Sequence, residues 1–420
     1  MVALGLGLAL TLAGVDSASA AGVSGASGRS GAAGAVGATG ARADRAVAAR
    51  LAARFPRAGL GPGGVGEAID AATGRVLWSS GARSGRMPAS TNKLATAVAA
   101  LTVLGPDHTE QTRTRLAPGG ALYLVGAGDQ RLRESGLRAL ADDTAKALKG
   151  RHLTQVQLRF DDSLFAAPVL SPGWPAGYLP HNVAPVRALA LHGERLRDTA
   201  LAAARVFAGQ LAEDGVRATP PVRAVAPADS EAIASHTSHP LWSDLEYMLK
   251  VSDNDIAEGL LRLTALARNR PATWQGGTGV VRSVLADYGI PLDGVALYDG
   301  SGLSREDRMT AQALTAIAAL TVNPRHQHTL WPLFEGLPVA GRDGTLAPAD
   351  HRFGRWPSSC AAGLVRAKTG TLHDATALAG VALGRDGRWR AFAFLENGST
   401  PVHKARRGLD ALASTVQGCW

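Results

Sequence analysis

Apolar and polar positions alternate along this chain in rhythms that predict most of its elements. Residues 42–55 carry apolar side chains at helical spacing and predict a short amphipathic helix. Residues 64–70 and 75–78 read as extended and, with 71–74 between them, predict a β-hairpin. Residues 90–104 are rich in Ala, Leu and Val, with neither Gly nor Pro until Gly105, and predict a helix with Ser90 at its N-terminus. Farther on, 121–125 and 152–160 read as strands and 195–213 as a helix, and helical signals return over 241–266. Near the C-terminus 364–371, 376–383 and 388–396 predict three successive strands, the last two joined by the turn Arg385-Asp386-Gly387, and 402–416 predicts a closing helix.

This order defines an α/β protein in which the first and last parts share one antiparallel sheet flanked by the terminal helices. At 420 residues the chain is long enough for a large body with a substantial insertion. The change of character over 105–240 predicts an inserted subdomain, leaving 42–104 and 241–420 as the main domain. Ahead of these, the uncharged apolar run over residues 2–15 and the small residues Ala18-Ser19-Ala20 predict a secretory leader over 1–20, hence an exported, extracytoplasmic protein. Residues 21–41, almost wholly Gly, Ala, Ser and Val, are expected to form a flexible tether.

Composition adds limits rather than a function. Lys and Arg number 44 against 35 Asp and Glu, for a net charge of +9. Such a surplus favours anionic surroundings. Only six of the basic residues are Lys, and along the sequence they are scattered rather than clustered, which reads as compositional bias. No nucleic-acid motif accompanies the charge, and no Cys or His spacing suits a metal, so neither nucleic acid, metal nor cofactor is expected. Cys360 and Cys419 are the only cysteines; a disulfide between them is preferred over two free, partly buried thiols in an exported chain.

The chemistry lies in three short motifs that occur in order: Ser90-Thr-Asn-Lys93, Ser252-Asp-Asn254 and Lys368-Thr-Gly370. Each alone is weak, because a serine at a helix start is ordinarily a cap. Together they match the S-x-x-K, S-D-N and K-T-G elements of serine acyl-transfer enzymes. On a helix, positions i and i+3 share a face, so Lys93 projects beside Ser90. A serine hydroxyl needs a base, and a lysine can be that base only if desolvation or a nearby cation lowers its pKa; Lys368 could be that cation. The Ser90 N–H, free at a helix start, could donate to an oxyanion, with a second donor from the strand at Thr371.

With these motifs the chain resembles the low-molecular-mass penicillin-binding proteins of the D-alanyl-D-alanine carboxypeptidase/endopeptidase type, which carry an inserted domain between the first two motifs. Further stretches that look like that family are Leu124-Val-Gly-Ala-Gly-Asp129, Asp161-Asp-Ser-Leu-Phe165, Ser252-Asp-Asn-Asp-Ile-Ala-Glu258, Asp299-Gly-Ser-Gly-Leu-Ser304 and Lys368-Thr-Gly-Thr-Leu372. The resemblance implies a β-lactamase/transpeptidase-like fold of a sheet domain plus a helical domain with the site between them. It implies peptidoglycan stem peptides as substrates and β-lactams as covalent inhibitors. By it Ser90 forms the acyl-enzyme, Lys93 activates it, Ser252 and Asn254 close one wall and handle proton transfer, and Lys368, Thr369, Gly370 and Thr371 line the other. Ser252 follows Ser90 by 162 positions, a shorter interval than the full insertion of that family, so part of the inserted region is expected to be missing.

Three alternatives stay open on the sequence. A β-lactamase would need a Glu on a loop after S-D-N, and no E-x-x-L-N pattern follows Asn254. An S-x-x-K esterase would centre its second motif on Tyr, whereas Tyr247 and Tyr298 lie in no such setting. A non-catalytic cell-wall binding module has no need of a Ser-Lys pair. Outside the motifs, 299–304 is read as a tight loop held by its own Asp and Ser, 342–345 as a turn near the site, and Asp161 and Asp162 as loop caps.

Overall fold

A computed structural model describes residues 29–398 and 400–419. Its elements, in chain order, begin with α1 (Arg29–Arg54), β1 (Val65–Asp70), β2 (Val76–Ser80), α2 (Lys93–Leu104), β3 (Gln111–Leu116), β4 (Ala121–Val125) and α3 (Glu134–Lys149). There follow β5 (Gln155–Asp161), α4 (Thr199–Glu213), β6 (Arg217–Ala218), β7 (Val222–Arg223) and β8 (Glu231–Thr237). Helices α5 (Leu241–Val251), α6 (Asn254–Ala267), α7 (Trp274–Asp287), α8 (Ala311–Leu320) and α9 (Gln327–Gly336) precede β9 (Val365–Leu372), β10 (Ala375–Leu383), β11 (Trp389–Asn397) and α10 (Val402–Gln417). The predicted leader, 1–20, and positions 21–28 of the predicted tether lie outside the described residues. Positions 29–41 are helical, contrary to the tether reading. The five alanines among them favour helix while Gly31, Gly34, Gly37 and Gly40 oppose it, and extending an existing helix avoids the cost of a new nucleus.

Residues 43–420 form one unit, built on an antiparallel sheet in the order β2-β1-β11-β10-β9. The first and last parts of the chain therefore do share one sheet, as the element order predicts. Both of its faces are buried. On one, Leu378, Phe392 and Phe394 pack with Leu409, Leu412 and Val416 of α10. On the other, Ala377, Ala379, Ala393 and Leu395 join the largest core cluster, which includes α2 and α6. Helix α2 is buried from Lys93 through Leu101, the behaviour of a helix that is apolar all round and runs through the middle of a core. A disulfide joins Cys360 to Cys419, so the preferred of the two cysteine readings is the observed one.

A second sheet, β6-β5-β4-β3-β8 with β7 paired to β5, is made wholly from the segment between α2 and α5. Its core sets Leu122, Leu124 and Phe160 against Leu137 and Leu140 of α3 and Phe207 of α4. Asp161 caps here as predicted: its oxygens accept from the N–H groups of Ser163 (2.9 Å) and Ala226 (2.7 Å). Asp162 instead forms ion pairs with Arg187 and Arg223.

Two departures from the predicted elements matter for the site. The helical stretch over 241–266 is two helices, broken where Ser252 adopts left-handed angles (φ 63°, ψ 39°). Asp253 then caps α6, its side chain accepting from the Ile256 N–H at 2.9 Å. Likewise Ser90 is not the first residue of α2 but lies in a 3-10 turn, Ala89–Asn92, that runs into it.

Candidate active site

The three motifs meet where α2, the α5–α6 break and β9 converge. Lys93 Nζ donates to Ser90 Oγ at 3.0 Å, to Asn254 Oδ1 at 2.7 Å and to the Ser301 carbonyl at 2.9 Å. Asn254 is held in turn through its Nδ2, which donates to the Asn182 carbonyl at 2.8 Å. Across from it, Lys368 Nζ donates to Ser252 Oγ at 2.9 Å and to the Thr369 carbonyl at 3.0 Å. Thr369 Oγ1 lies 2.8 Å from Thr345 Oγ1, which sets the predicted 342–345 turn against β9. Thr371 Oγ1 accepts from Arg406 at 3.2 Å.

Gly370 is where the strand comes close to the nucleophile turn. A Cβ there would stand 2.5 Å from the Pro88 carbonyl oxygen and 3.2 Å from Ala89 Cβ, so only glycine lets β9 lie against the Ser90 segment. Hydrogen bonds thus link Ser90, Lys93 and Asn254 in one group and Ser252, Lys368 and Thr369 in another, and Gly370 of β9 lies against the turn that carries Ser90.

Both lysines are fully buried, and burial depresses both ammonium groups. Lys93 falls to about 8, opposed by the carboxylates of Glu258, Asp299, Asp253 and Asp255. Lys368 falls well below its ordinary value through burial, then through the positive charge of Lys93. Of the two causes left open for Lys93, desolvation is the larger.

The sequence reading missed the support beneath Lys93. Glu258, fully buried, accepts from the N–H groups of Gly300 (2.9 Å) and Ser301 (2.8 Å), fixing the loop whose Ser301 carbonyl receives Lys93. Burial and the nearby Asp299 push the Glu258 carboxyl up to about 8. A signal was present, since Glu258 lies four residues after Asn254 on the same helix face. The 299–304 loop is self-braced as predicted. Asp299 accepts from the Gly302 N–H (2.7 Å), the Ser304 N–H (2.6 Å) and Trp174 Nε1 (2.6 Å).

Asp253 occupies the middle of its motif as a helix cap. Asp253→Ala is expected to lower unfolding stability by about 1 kcal/mol in chemical denaturation, while Asp253→Ser, which can still cap, retains most of it.

Comparison with known proteins gives the family and the fold. The chain is 34% identical over 378 residues to carboxypeptidase DacB of Mycolicibacterium smegmatis, covering 84% of this chain and 80% of that protein. It is 35% identical over 380 residues to carboxypeptidase Rv3627c of Mycobacterium tuberculosis, with the same coverage. Its fold matches the crystal structure of penicillin binding protein 4 (dacB) from Haemophilus influenzae with a TM-score of 0.73 at 24% identity, over 86% of this chain and 98% of that one. The model of the D-Ala-D-Ala carboxypeptidase 3 (S13) family matches residues 48–195 and 176–416, and the chain belongs to that family.

Proposed function

We propose that this protein is a serine-type D-alanyl-D-alanine carboxypeptidase/endopeptidase that works outside the cytoplasm on peptidoglycan stem peptides and is inhibited covalently by β-lactams. The observation that carries this reading is the contact of 3.0 Å between Lys93 Nζ and Ser90 Oγ, made by a lysine whose pKa burial has brought down to about 8. A neutral amine at that distance can take the hydroxyl proton as Ser90 Oγ attacks the carbonyl of the penultimate D-alanine. The bond formed is an ester to Ser90. The bond broken is the peptide C–N, and the terminal D-alanine leaves once its nitrogen is protonated.

In this mechanism the Ser90 and Thr371 N–H groups stabilise the oxyanion. The Ser252–Lys368 pair, 2.9 Å apart, returns a proton to the departing amine. Asn254 holds Lys93 in line and presents its amide to the substrate backbone. The proton that Lys93 took from Ser90 replaces the one the Ser252–Lys368 pair gave to the amine, which leaves Lys93 neutral again, and water then hydrolyses the acyl-enzyme with Lys93 as base. A β-lactam follows the same first step, but its leaving nitrogen stays tethered to the acyl group, so the adduct persists.

The test is mass spectrometry of the purified protein with a peptide ending in D-alanyl-D-alanine and, separately, with a β-lactam. Release of one D-alanine and a lasting adduct on Ser90, both absent from Ser90→Ala, are the expected results. An adduct that turns over rapidly without peptide cleavage would identify a β-lactamase, and neither event would identify a binding module.

A further inference from the structure

Basic residues that look scattered along the sequence are gathered in space on one face. A cavity of about 740 Å³ is lined by Arg50, Arg54, Arg57, Lys404 and Arg407 and by no acidic residue. A second, of about 820 Å³, shares Pro357, Arg407 and Ala411 with the first and adds Arg352, Arg355 and Arg406. Its only acids are Asp350 and Asp410. Asp410 is consumed by Arg352, whose Nε donates to both of its oxygens at 3.0 Å. Chain-wide the basic excess is only 44 to 35, so this face departs sharply from the average.

Arg57, Arg355, Lys404 and Arg407 pair with no acid among the described residues. The crowding has an electrostatic signature: Arg54 is lowered by burial and by the charge of Arg50, and Arg406 by burial and by Arg352. Arg57, Arg355, Lys404 and Arg407 add their charges to this crowding, a cost that an anionic ligand relieves.

We infer that the two joined cavities are a binding groove for a linear phosphodiester polyanion. Arginine dominates the lining, and its planar fork matches phosphate oxygens in pairs. The concave form favours a strand over a flat bilayer, since Arg54 and Arg406 are half-buried within the walls. Trp356, 73% exposed beside the second cavity, offers an apolar surface to the uncharged linking units between phosphates. The groove ends beside the cleft, because Arg406 lines it and also donates to Thr371. A polymer held there keeps the enzyme on an anionic matrix with its cleft open to substrate.

The test measures binding of the full chain to fluorescently labelled poly(glycerol phosphate) across a salt series. The parent is expected to bind, more weakly as salt rises. The triple variant Arg57→Gln/Lys404→Gln/Arg407→Gln should bind at least about tenfold more weakly while acylating Ser90 at the parental rate. The triple Arg268→Gln/Arg270→Gln/Arg325→Gln removes the same charge elsewhere and should bind like the parent. Equal weakening in both triples would reduce the effect to net charge and overturn the groove. Capture by phosphatidylglycerol vesicles without polymer binding would overturn the polymer and indicate a membrane surface.

Discussion

Lys93→Met is expected to slow acylation of Ser90 by a β-lactam by about 10²–10⁴-fold, the range that a positioned general base supplies. Methionine keeps an unbranched chain of similar length in a site where Lys93 is fully buried, so the packing of α2 survives. It also removes a group whose charged form the interior opposes, so a thermal melt should show stability unchanged or raised. Loss of activity without loss of fold is then the signature of a missing base. The parental acylation rate should climb as pH rises through about 8, because the deprotonated amine is the base and burial lowers Lys93 to that value. Below that pH the neutral fraction falls about tenfold per unit. Glu258, pushed up to about 8, titrates over the same range, so the apparent pKa belongs to both groups. The rising limb should vanish in Lys93→Met. A variant that acylates like the parent at pH 8 would remove Lys93 from the role of base.

The parts of this architecture legible in the sequence are those set by local pattern. Strands β9 to β11 are joined by short turns and carry long apolar runs, so the expected ranges lie within a residue or so of the observed ones. The motif residues were legible because i, i+3 spacing fixes where Lys93 points. Less legible were elements whose inner face is polar. Strand β3 reads Gln-Thr-Arg-Thr-Arg-Leu and buries Thr112 and Thr114, the latter 2.8 Å from Thr144 of α3. Such a strand gives no hydrophobic alternation, and its pairing with β4 and β8 comes from partners distant in sequence. The Ser252 break barely disturbs the pattern, because flanking helical signals are strong and a two-residue interruption leaves them intact. The basic groove was invisible for another reason: α1, the 350s loop and α10 each bring a few arginines, and only folding adds them together. The acid beneath Lys93 had a local signal, but its function depends on a loop 42 positions away.

Gly302→Ala should test how tightly the nucleophile turn is held from below. Ala89, immediately before Ser90, is fully buried with φ 47°, a left-handed conformation that costs about 1–2 kcal/mol in a non-glycine residue. Something must hold it there. Gly302, itself at φ 83°, packs so closely that a Cβ would fall 1.9 Å from the Ala89 carbonyl oxygen, 2.5 Å from its carbon and 2.9 Å from Asn92 Cβ. The loop cannot retreat easily, since Asp299 accepts from the Gly302 N–H at 2.7 Å and the neighbouring Gly300 and Ser301 N–H groups are held by Glu258. The turn must yield instead, carrying Ser90 away from Lys93. Overpacking predicts a loss of about 1–3 kcal/mol in stability. A shift of the order of 1 Å at the reacting oxygen predicts a drop of about 10²-fold in acylation. Gly74→Ala is the control: its φ is 72°, but nothing lies within 4 Å of the added methyl. It carries the backbone strain alone and should acylate at the parental rate. If Gly302→Ala were destabilised yet acylated normally, the geometry of Ser90 would be set by α2 and β9 without the 299–304 loop, and the strained angle at Ala89 would need another restraint.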